Sequence, residues 1–251
     1  MKSLLLLTLL SLQSLFAIIS IVPVEIGDAP GISGKLELAL DTQRGNTHKD
    51  NYSLGAVLSY DNNSSYVLWT ELSGEYGKAN HVEDTNKIYS HIRYLYALTD
   101  NSIRAEAFLQ TEEDQFKSIA KRRLTGFGLR FKLFETFSNG KGYCGFAPIY
   151  EYIRYIDPTI NPKENNIRLN TYLAYTVQFA EDSTFSYTLY YQPLVSKISD
   201  HVIANKLELQ LHIYLKLFLK FSVYYDVDSV QPVGLEQDYD FRQTTSFVLN
   251  F

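Results

Sequence analysis

The chain has 251 residues, a net charge of −5 and a mean hydropathy of −0.15, although 45% of its residues are hydrophobic. The mild charge gives no reason to expect a nucleic-acid partner, and the single cysteine, Cys144, excludes an intramolecular disulfide. Beyond residue 22 no apolar run approaches the length of a spanning helix, while Tyr and Phe are abundant at 20 and 15 residues. This composition favours an exported protein rich in β-strands.

The beginning of the chain has the pattern of a secretory signal peptide. Lys2 precedes an apolar stretch at residues 4–12, and a small residue follows at a position where a signal peptidase could cut. We predict a Sec-type signal peptide at residues 1–17, or extending to about residue 22, and then a short periplasmic segment at residues 18–32. Because apolar residues continue past the cleavage position, an uncleaved anchor helix is the alternative.

From residue 33 onwards, apolar side chains recur at every second position in segments of about ten residues. Leu36, Leu38 and Leu40 form the apolar side of the first such segment. This period and length are typical of strands that cross a bilayer with one face towards lipid, and tyrosines at their ends are typical of interfacial girdles. About twelve segments follow one another. The sequence therefore predicts an all-β fold, a transmembrane antiparallel up-and-down β-barrel of about 12 strands, at residues 33–251.

The connections between the segments alternate in length. Short turn sequences, such as Asp61–Ser64, are separated by longer polar stretches at residues 77–86, 112–121, 156–165 and 227–238. Outer-membrane barrels have short periplasmic turns and longer outer loops. The pattern predicts the same arrangement here, with both chain termini on the periplasmic side.

The face opposite the apolar side carries charges of both signs on nearly every segment. Strand alternation points them into the barrel, since Lys or Arg at the bilayer midplane costs about 2–4 kcal/mol on the lipid side. Two interpretations remain open: a salt-bridged interior that braces the wall, or a water-filled pore in which neutralising Arg104 or Arg130 would change solute flux. The predicted lumen charge network comprises Glu37, Glu71, Arg93, Arg104, Glu106, Arg130, Arg168 and Glu208.

Three further residues are singled out by their positions. Asp114 and Arg123 flank one predicted outer loop, where they could pair across it or contact an extracellular ligand. Phe251 ends a final segment with alternating polarity, which predicts a last barrel strand.

The sequence offers little support for enzyme chemistry. Ser90 and His91 are neighbours, but strand alternation sends them to opposite faces, and the five His residues lack metal-ligand spacing. There is no phosphate-binding glycine loop. We therefore predict no catalytic residues, no metal and no cofactor, with an outer-membrane hydrolase as the least favoured function.

Several short motifs, taken in order, resemble the salt-induced outer membrane protein family, a family of unknown function. They include Gly45-Asn46-Thr47, Asp114-Gln115-Phe116 and Gly126-Phe127-Gly128-Leu129, and they extend over most of the mature chain. The resemblance implies a barrel in the bacterial outer membrane, with lipid and lipopolysaccharide around it, and supplies no reaction. Similar proteins are inserted by the barrel-assembly machinery, which reads C-terminal strands such as the one ending at Phe251. The expected function is a structural envelope protein or a narrow diffusion channel for small solutes or ions. The alternative is a ligand-binding or surface-binding protein that acts through its outer loops.

Overall fold

The computed structural model describes residues 25–43, 49–99, 102–136, 140–160, 162–180, 182–230 and 238–251. The predicted signal peptide and the Gly45-Asn46-Thr47 motif lie outside these residues. Within them, no helix is long and apolar enough to cross a membrane.

Twelve antiparallel strands form one closed barrel, which confirms the predicted fold. Each strand pairs with its neighbours in sequence, and β1 pairs with β12 to complete the circle. The strands are β1 (Gly31–Gln43), β2 (Lys49–Asp61), β3 (Tyr66–Ala79), β4 (Val82–Ala97), β5 (Ile103–Asp114), β6 (Ile119–Glu135), β7 (Lys141–Tyr155), β8 (Glu164–Ala180), β9 (Ser183–Leu194), β10 (Lys197–Tyr214), β11 (Leu217–Asp228) and β12 (Tyr239–Asn250).

Side-chain alternation separates an apolar outer surface from a polar interior. On β3, Leu68 and Leu72 are exposed on the outside, while Trp69 between them is buried inside. On β5, Arg104 and Glu106 are buried in the interior. The exposed leucines and isoleucines would contact lipid chains in a bilayer, as the period of two in the sequence predicts.

Tyrosines lie at both ends of the outer surface. Tyr60 and Tyr66 are neighbours, with ring centroids 6.0 Å apart, and Tyr66 lies 5.5 Å from Tyr94. At the opposite end Tyr225 and Tyr239 are 6.0 Å apart. Amphipathic rings at these two levels match the interfaces of a bilayer.

The strands continue further than the sequence pattern predicts, so two predicted loops are wrong. Residues 77–86 are mostly strand, and the turn between β3 and β4 is only Asn80 and His81, both with positive φ. Residues 112–121 likewise belong mostly to β5 and β6. The polar character has a different origin in each stretch: Lys78 and Glu83 are exposed at the ends of β3 and β4, whereas Glu112 and Asp114 on β5 are buried in the interior.

We call the two ends of the barrel proximal and distal, according to where the first and last strands begin and end. At the proximal end β1 begins and β12 ends, and Gly34 exchanges two backbone hydrogen bonds of 2.9 Å with Phe251. At the distal end lie the connections that follow the odd-numbered strands. Residues 25–30 precede β1 at the proximal end, where the Glu25 side chain is buried.

Candidate functional site

The candidate functional site is the barrel lumen, which has two unlike halves. The packed half is the inward face of β4–β8, where most side chains are fully buried. The open half is the inward face of β1–β3 and β10–β12, where many inward side chains keep partial exposure and line cavities. Strand β9 lies between the two halves.

Aromatic side chains fill the packed half between its charges. Tyr172 donates a hydrogen bond of 2.9 Å to Glu106, which also lies 3.8 Å from the Arg93 guanidinium. The Arg130 guanidinium stacks 3.9 Å from the centroid of the Tyr143 ring. Cation–π and charge-assisted contacts of this kind hold side chains in fixed places. This part of the lumen is therefore a core rather than a passage. Its apolar members are Phe108, Leu124, Tyr143, Ala147, Ile149, Tyr172 and Ala174, and the cluster continues to Tyr190 on β9 and Ala204 on β10.

Two glycines make room for these rings against the wall. A Cβ atom at Gly126 would lie 2.3 Å from Phe108 Cζ, and one at Gly145 would lie 2.0 Å from Tyr172 Cε1. No side chain fits at such distances unless the ring moves. The glycines thus allow Phe108 and Tyr172 to lie directly on the inner surface of the sheet.

A continuous series of ion pairs crosses the distal part of the packed half. Glu112 lies 3.2 Å from Lys87 and 3.9 Å from Arg122. Glu151 then accepts from Arg122 and Arg168, each through Nε at 2.8 Å, with a second contact from Arg122. Arg168 ends the series 2.9 Å from Asp200. Alternating signs compensate every buried charge, and we call this group the distal ion-pair chain: Lys87, Glu112, Arg122, Glu151, Arg168 and Asp200.

Lys117, from the connection between β5 and β6, closes the distal end beside this chain. Its side chain is almost fully buried, and its ammonium lies 3.7 Å from Asp240 Oδ2. Burial, with a contribution from nearby Lys87, lowers the pKa of Lys117 to about 7.

The open half combines charges with small side chains. Lys220 hydrogen-bonds to Glu37 and lies 3.5 Å from Glu208, which is 3.1 Å from Lys206. Between these charges the wall carries small residues. Ser53, Gly55, Ser73 and Thr244 all line cavities in this half.

The charges and small residues surround two adjoining cavities. One cavity of about 440 Å³ begins near Asp28 and Lys141 at the proximal end and reaches Glu71 and Lys206. A second, of about 140 Å³, shares Glu71 and Lys206 and continues to Arg242. Together they trace a path along the open half from the proximal end towards the distal end.

The Arg242–Glu75 pair narrows this path. Arg242 on β12 donates to Glu75 on β3 at 2.8 Å, and its guanidinium lies 4.2 Å from the Tyr224 ring centroid. The pair spans the lumen across β1 and β2, which separate the two strands.

At the proximal end, Glu25 anchors the segment before β1 to the inner wall. Its carboxylate accepts from Lys132 at 2.9 Å, lies 2.7 Å from the Lys141 ammonium and is 3.7 Å from Arg104. Burial alone would raise the pKa of Glu25, but the hydrogen bonds from Lys141 and Lys132 outweigh it and hold the pKa at about 2. The segment therefore covers part of the proximal opening.

The structure distributes the eight predicted network residues over three groups. Arg93, Arg104, Glu106 and Arg130 lie in the packed half, and Arg168 belongs to the distal ion-pair chain. The remaining three, Glu37, Glu71 and Glu208, line the cavity of the open half. All eight face inward, yet they do not form one network. Arg104 and Arg130 lie away from the cavities, so a test of flux belongs to residues of the open half.

The other predicted pair, Asp114 and Arg123, is not brought together. Asp114 is buried on the inward face of β5, where its carboxylate accepts from the backbone N–H groups of Phe116 and Lys117 at 3.1 Å. Arg123 is exposed on the opposite face of β6. The predicted loop is strand at both positions, so the parity of the two residues separates them.

Sequence reasoning missed most of the distal ion-pair chain. Glu112 was placed in the predicted loop and Arg122 directly after it, and neither was predicted to face the lumen, whereas both face inward on strands. A usable signal was present, because Gln110, Glu112 and Asp114 continue the inward period of Arg104 and Glu106. Polar residues that keep the strand period are evidence for a longer strand.

Comparison with known proteins gives a family and a fold. A family described as "Protein of unknown function, DUF481" matches residues 36–251. The chain belongs to this family. Its description states no activity, and the sequence has no match among curated proteins.

Solved structures with a similar fold are outer-membrane barrels. The COG4313 outer membrane channel from Pseudomonas putida F1 aligns with a TM-score of 0.53 at 9% identity, over 92% of this chain and 100% of that chain. The NanC porin aligns at 0.47 with 15% identity, over 86% and 97%. The KdgM porin aligns at 0.42 with 15% identity, over 87% and 96%. The likeness to the Pseudomonas putida channel supports the barrel architecture of this DUF481 protein.

Proposed function

We propose that this DUF481 protein is an outer-membrane barrel whose open half provides a narrow path for ions and small polar solutes. The single observation that carries the proposal is the pair of adjoining cavities of about 440 and 140 Å³ along the open half. Charged and small polar residues line both, as a wet passage requires, and the second also has Tyr89, Tyr190 and Tyr224 in its lining. The similar Pseudomonas putida protein is an outer membrane channel, which agrees with this function.

The apolar outer surface and its two levels of tyrosines support placement in an outer membrane, with the proximal end towards the periplasm. Lipid and lipopolysaccharide would then surround the wall, and the barrel-assembly machinery would insert it. Export by a signal peptide at residues 1–17 remains part of this proposal.

The lining charges predict weak ion selectivity. Lys35, Lys206 and Lys220 face Glu37, Glu71 and Glu208 in the larger cavity, and Asp28, Glu135 and Lys141 at its proximal end leave five carboxylates against four lysines, so the two signs nearly balance. Charges that line a narrow pore set which ions pass, and removing one sign shifts the preference to the other. Lys220→Gln should therefore move the preference towards cations and Glu71→Gln towards anions.

Conductance of the refolded protein in a planar bilayer tests the proposal. The reversal potential in a KCl gradient is measured for the unaltered protein, for Lys220→Gln and for Glu71→Gln. We expect small ohmic steps whose selectivity changes in opposite directions in the two variants. Arg130→Gln is the matched control, since it removes an inward charge away from the cavities and should leave the selectivity unchanged.

A structural envelope protein is the second candidate, favoured by the Arg242–Glu75 contact across the path and by Glu25 at the proximal opening. A barrel that inserts, migrates as a folded species and stays electrically silent, even as Arg242→Gln, would overturn the channel proposal. That result would leave the structural function.

A further inference from the structure

The seam between β1 and β12 is paired over only part of its length. Register pairs join Lys35–Leu38 to Phe247–Asn250 at the proximal end. Yet β1 pairs with β2 along its whole length, and β12 pairs with β11 from Tyr239 onwards. Over the described parts of both strands, residues 39–43 and 242–246 thus face each other without a ladder. The seam ends where Ser246 donates a 2.6 Å hydrogen bond to Glu37.

A cavity of about 420 Å³ occupies the unpaired stretch, and its lining comes from both sides of the wall. Ser53, Glu75 and Arg242 contribute from the lumen side. Leu40 and Thr245 contribute from the outer surface, where Leu40 is 71% exposed. An empty space with both kinds of lining passes through the wall. It connects the Arg242–Glu75 pair with the surface that would contact lipid.

The sequence is also unusual at this point. Gln243 and Thr245 occupy outward positions of β12 between Phe241 and Phe247, where the strand otherwise presents apolar side chains. Polar groups that face hydrocarbon lack hydrogen-bond partners, which costs free energy. Both residues line the cavity, so a polar occupant of the opening would supply those partners.

Hydrogen-bonding capacity remains unmet on the lumen side. Within the described residues, the acceptor Asn51 Oδ1 and the donor Arg242 Nε are buried without a hydrogen bond. Asn51 and Arg242 both line the cavity. Buried polar atoms are usually paired, and a group that both donates and accepts would suit these two.

We propose that the unpaired seam is a lateral opening that binds an uncharged amphiphile with one hydrocarbon chain and a hydroxyl or amide head. The chain would lie along Leu40 and Phe241 on the outer surface, and the head would enter the opening beside Gln243 and Arg242. The head is uncharged because Arg242 and Glu75 already neutralise each other, and a charged head would have to break that pair. A space of this size holds a head group with part of one chain. The site shares Arg242 and Glu75 with the ion path, but its proposal does not require that ions pass.

Photolabelling locates the site. The protein is refolded in phosphatidylcholine liposomes that contain a small fraction of 1-monododecanoylglycerol carrying a diazirine near its head, and labelled peptides are identified by mass spectrometry. We expect labelling concentrated on β1 and β12 at Leu40, Gln243 and Thr245, with some on inward-facing Thr244. Uniform labelling around the apolar surface would mean ordinary lipid contact and would overturn the proposal. Protein dimers joined through β1 would overturn it in favour of self-association.

A disulfide across the opening supplies the matched test. Leu40 would face Thr245 if the register of the proximal seam continued, so Leu40→Cys/Thr245→Cys in a Cys144→Ala background can close the gap. Oxidation should lower labelling of Thr244 roughly tenfold, equivalent to about 1.4 kcal/mol, and reduction should restore it. The control is Leu58→Cys/Thr70→Cys, a Leu–Thr register pair between β2 and β3, whose oxidation should change nothing.

A second variant tests the proposal if the disulfide between residues 40 and 245 does not form. Gln243→Leu/Thr245→Leu leaves the backbone opening but removes the polar rim, so preferential labelling of β1 and β12 should fall severalfold. If neither the disulfide nor the Gln243→Leu/Thr245→Leu change alters the labelling, the proposed site is contradicted. Ion conduction, measured in parallel, should persist in the protein with the disulfide. A change in labelling can therefore be told apart from a failure of the channel proposal.

Discussion

The packed and open halves of the lumen carry the same types of charge but use them differently. In the packed half, Arg130 and Glu106 lie among the rings of Tyr143 and Tyr172. In the open half, Lys220 and Glu208 lie among serines, threonines and Gly55, and empty space separates the walls. Charge alone therefore does not distinguish a braced interior from a passage. The size of the side chains between the charges decides, because only large ones exclude water.

The largest expected effect on stability comes from neutralising one carboxylate in each half, by the same change of Glu to Gln. Glu151→Gln leaves Arg122 and Arg168 buried without their shared counter-charge, which should lower the free energy of unfolding by about 3–5 kcal/mol. Glu208→Gln leaves its lysines beside a cavity that admits water and near Glu37, so its loss should stay near 1 kcal/mol. Urea unfolding in detergent micelles, followed by the fluorescence of the single tryptophan, Trp69, measures both.

Equal losses in these two variants would contradict the distinction between the halves. Conductance should show the opposite ranking, since Glu208 lines the larger cavity and Glu151 does not.

The sequence predicts the wall of the barrel better than its interior. The period of two, seen for instance in Leu36, Leu38 and Leu40, predicted the strands, their lipid face and the barrel. Strand ends were missed because residues such as Glu112 and Arg122 are polar, and hydropathy cannot distinguish a loop from an inward charge. The two halves were missed because alternation predicts direction and not distance across the lumen. Phe108 at an inward position, opposite Gly126 in the register, was the available clue.

A smaller effect should come from adding one methyl group to each half. Gly126→Ala places a Cβ atom 2.3 Å from Phe108 Cζ and 2.7 Å from Ile149 Cγ2, so overpacking should destabilise the barrel by about 1–3 kcal/mol. At Gly55 the nearest atom to a new Cβ is Glu37 Cβ at 3.5 Å, an ordinary contact. Gly55→Ala should therefore stay within about 0.5 kcal/mol of the unaltered protein.

The same urea titrations measure the two alanine variants. A loss at Gly55 as large as the loss at Gly126 would show that the open half is filled, and would weaken the channel proposal with it.

The smallest effect concerns the proximal opening and its dependence on pH. Because the pKa of Glu25 is lowered from 4.5 to about 2, its contribution to docking of residues 25–30 is complete above pH 4.5 and is lost as the pH falls through about 2. Cleavage of this segment by pepsin, which is active across that range, should therefore accelerate towards pH 2. Glu25→Gln should be cleaved quickly at every pH in the range. Asp28→Asn is the control, since Asp28 is exposed, pairs with Lys141 as its one ionic partner among the described residues, and should change the cleavage rate little. A cleavage rate in the unaltered protein that does not vary with pH, while Glu25→Gln is cleaved equally slowly, would show that packing of the segment against the wall and not the carboxylate holds it there.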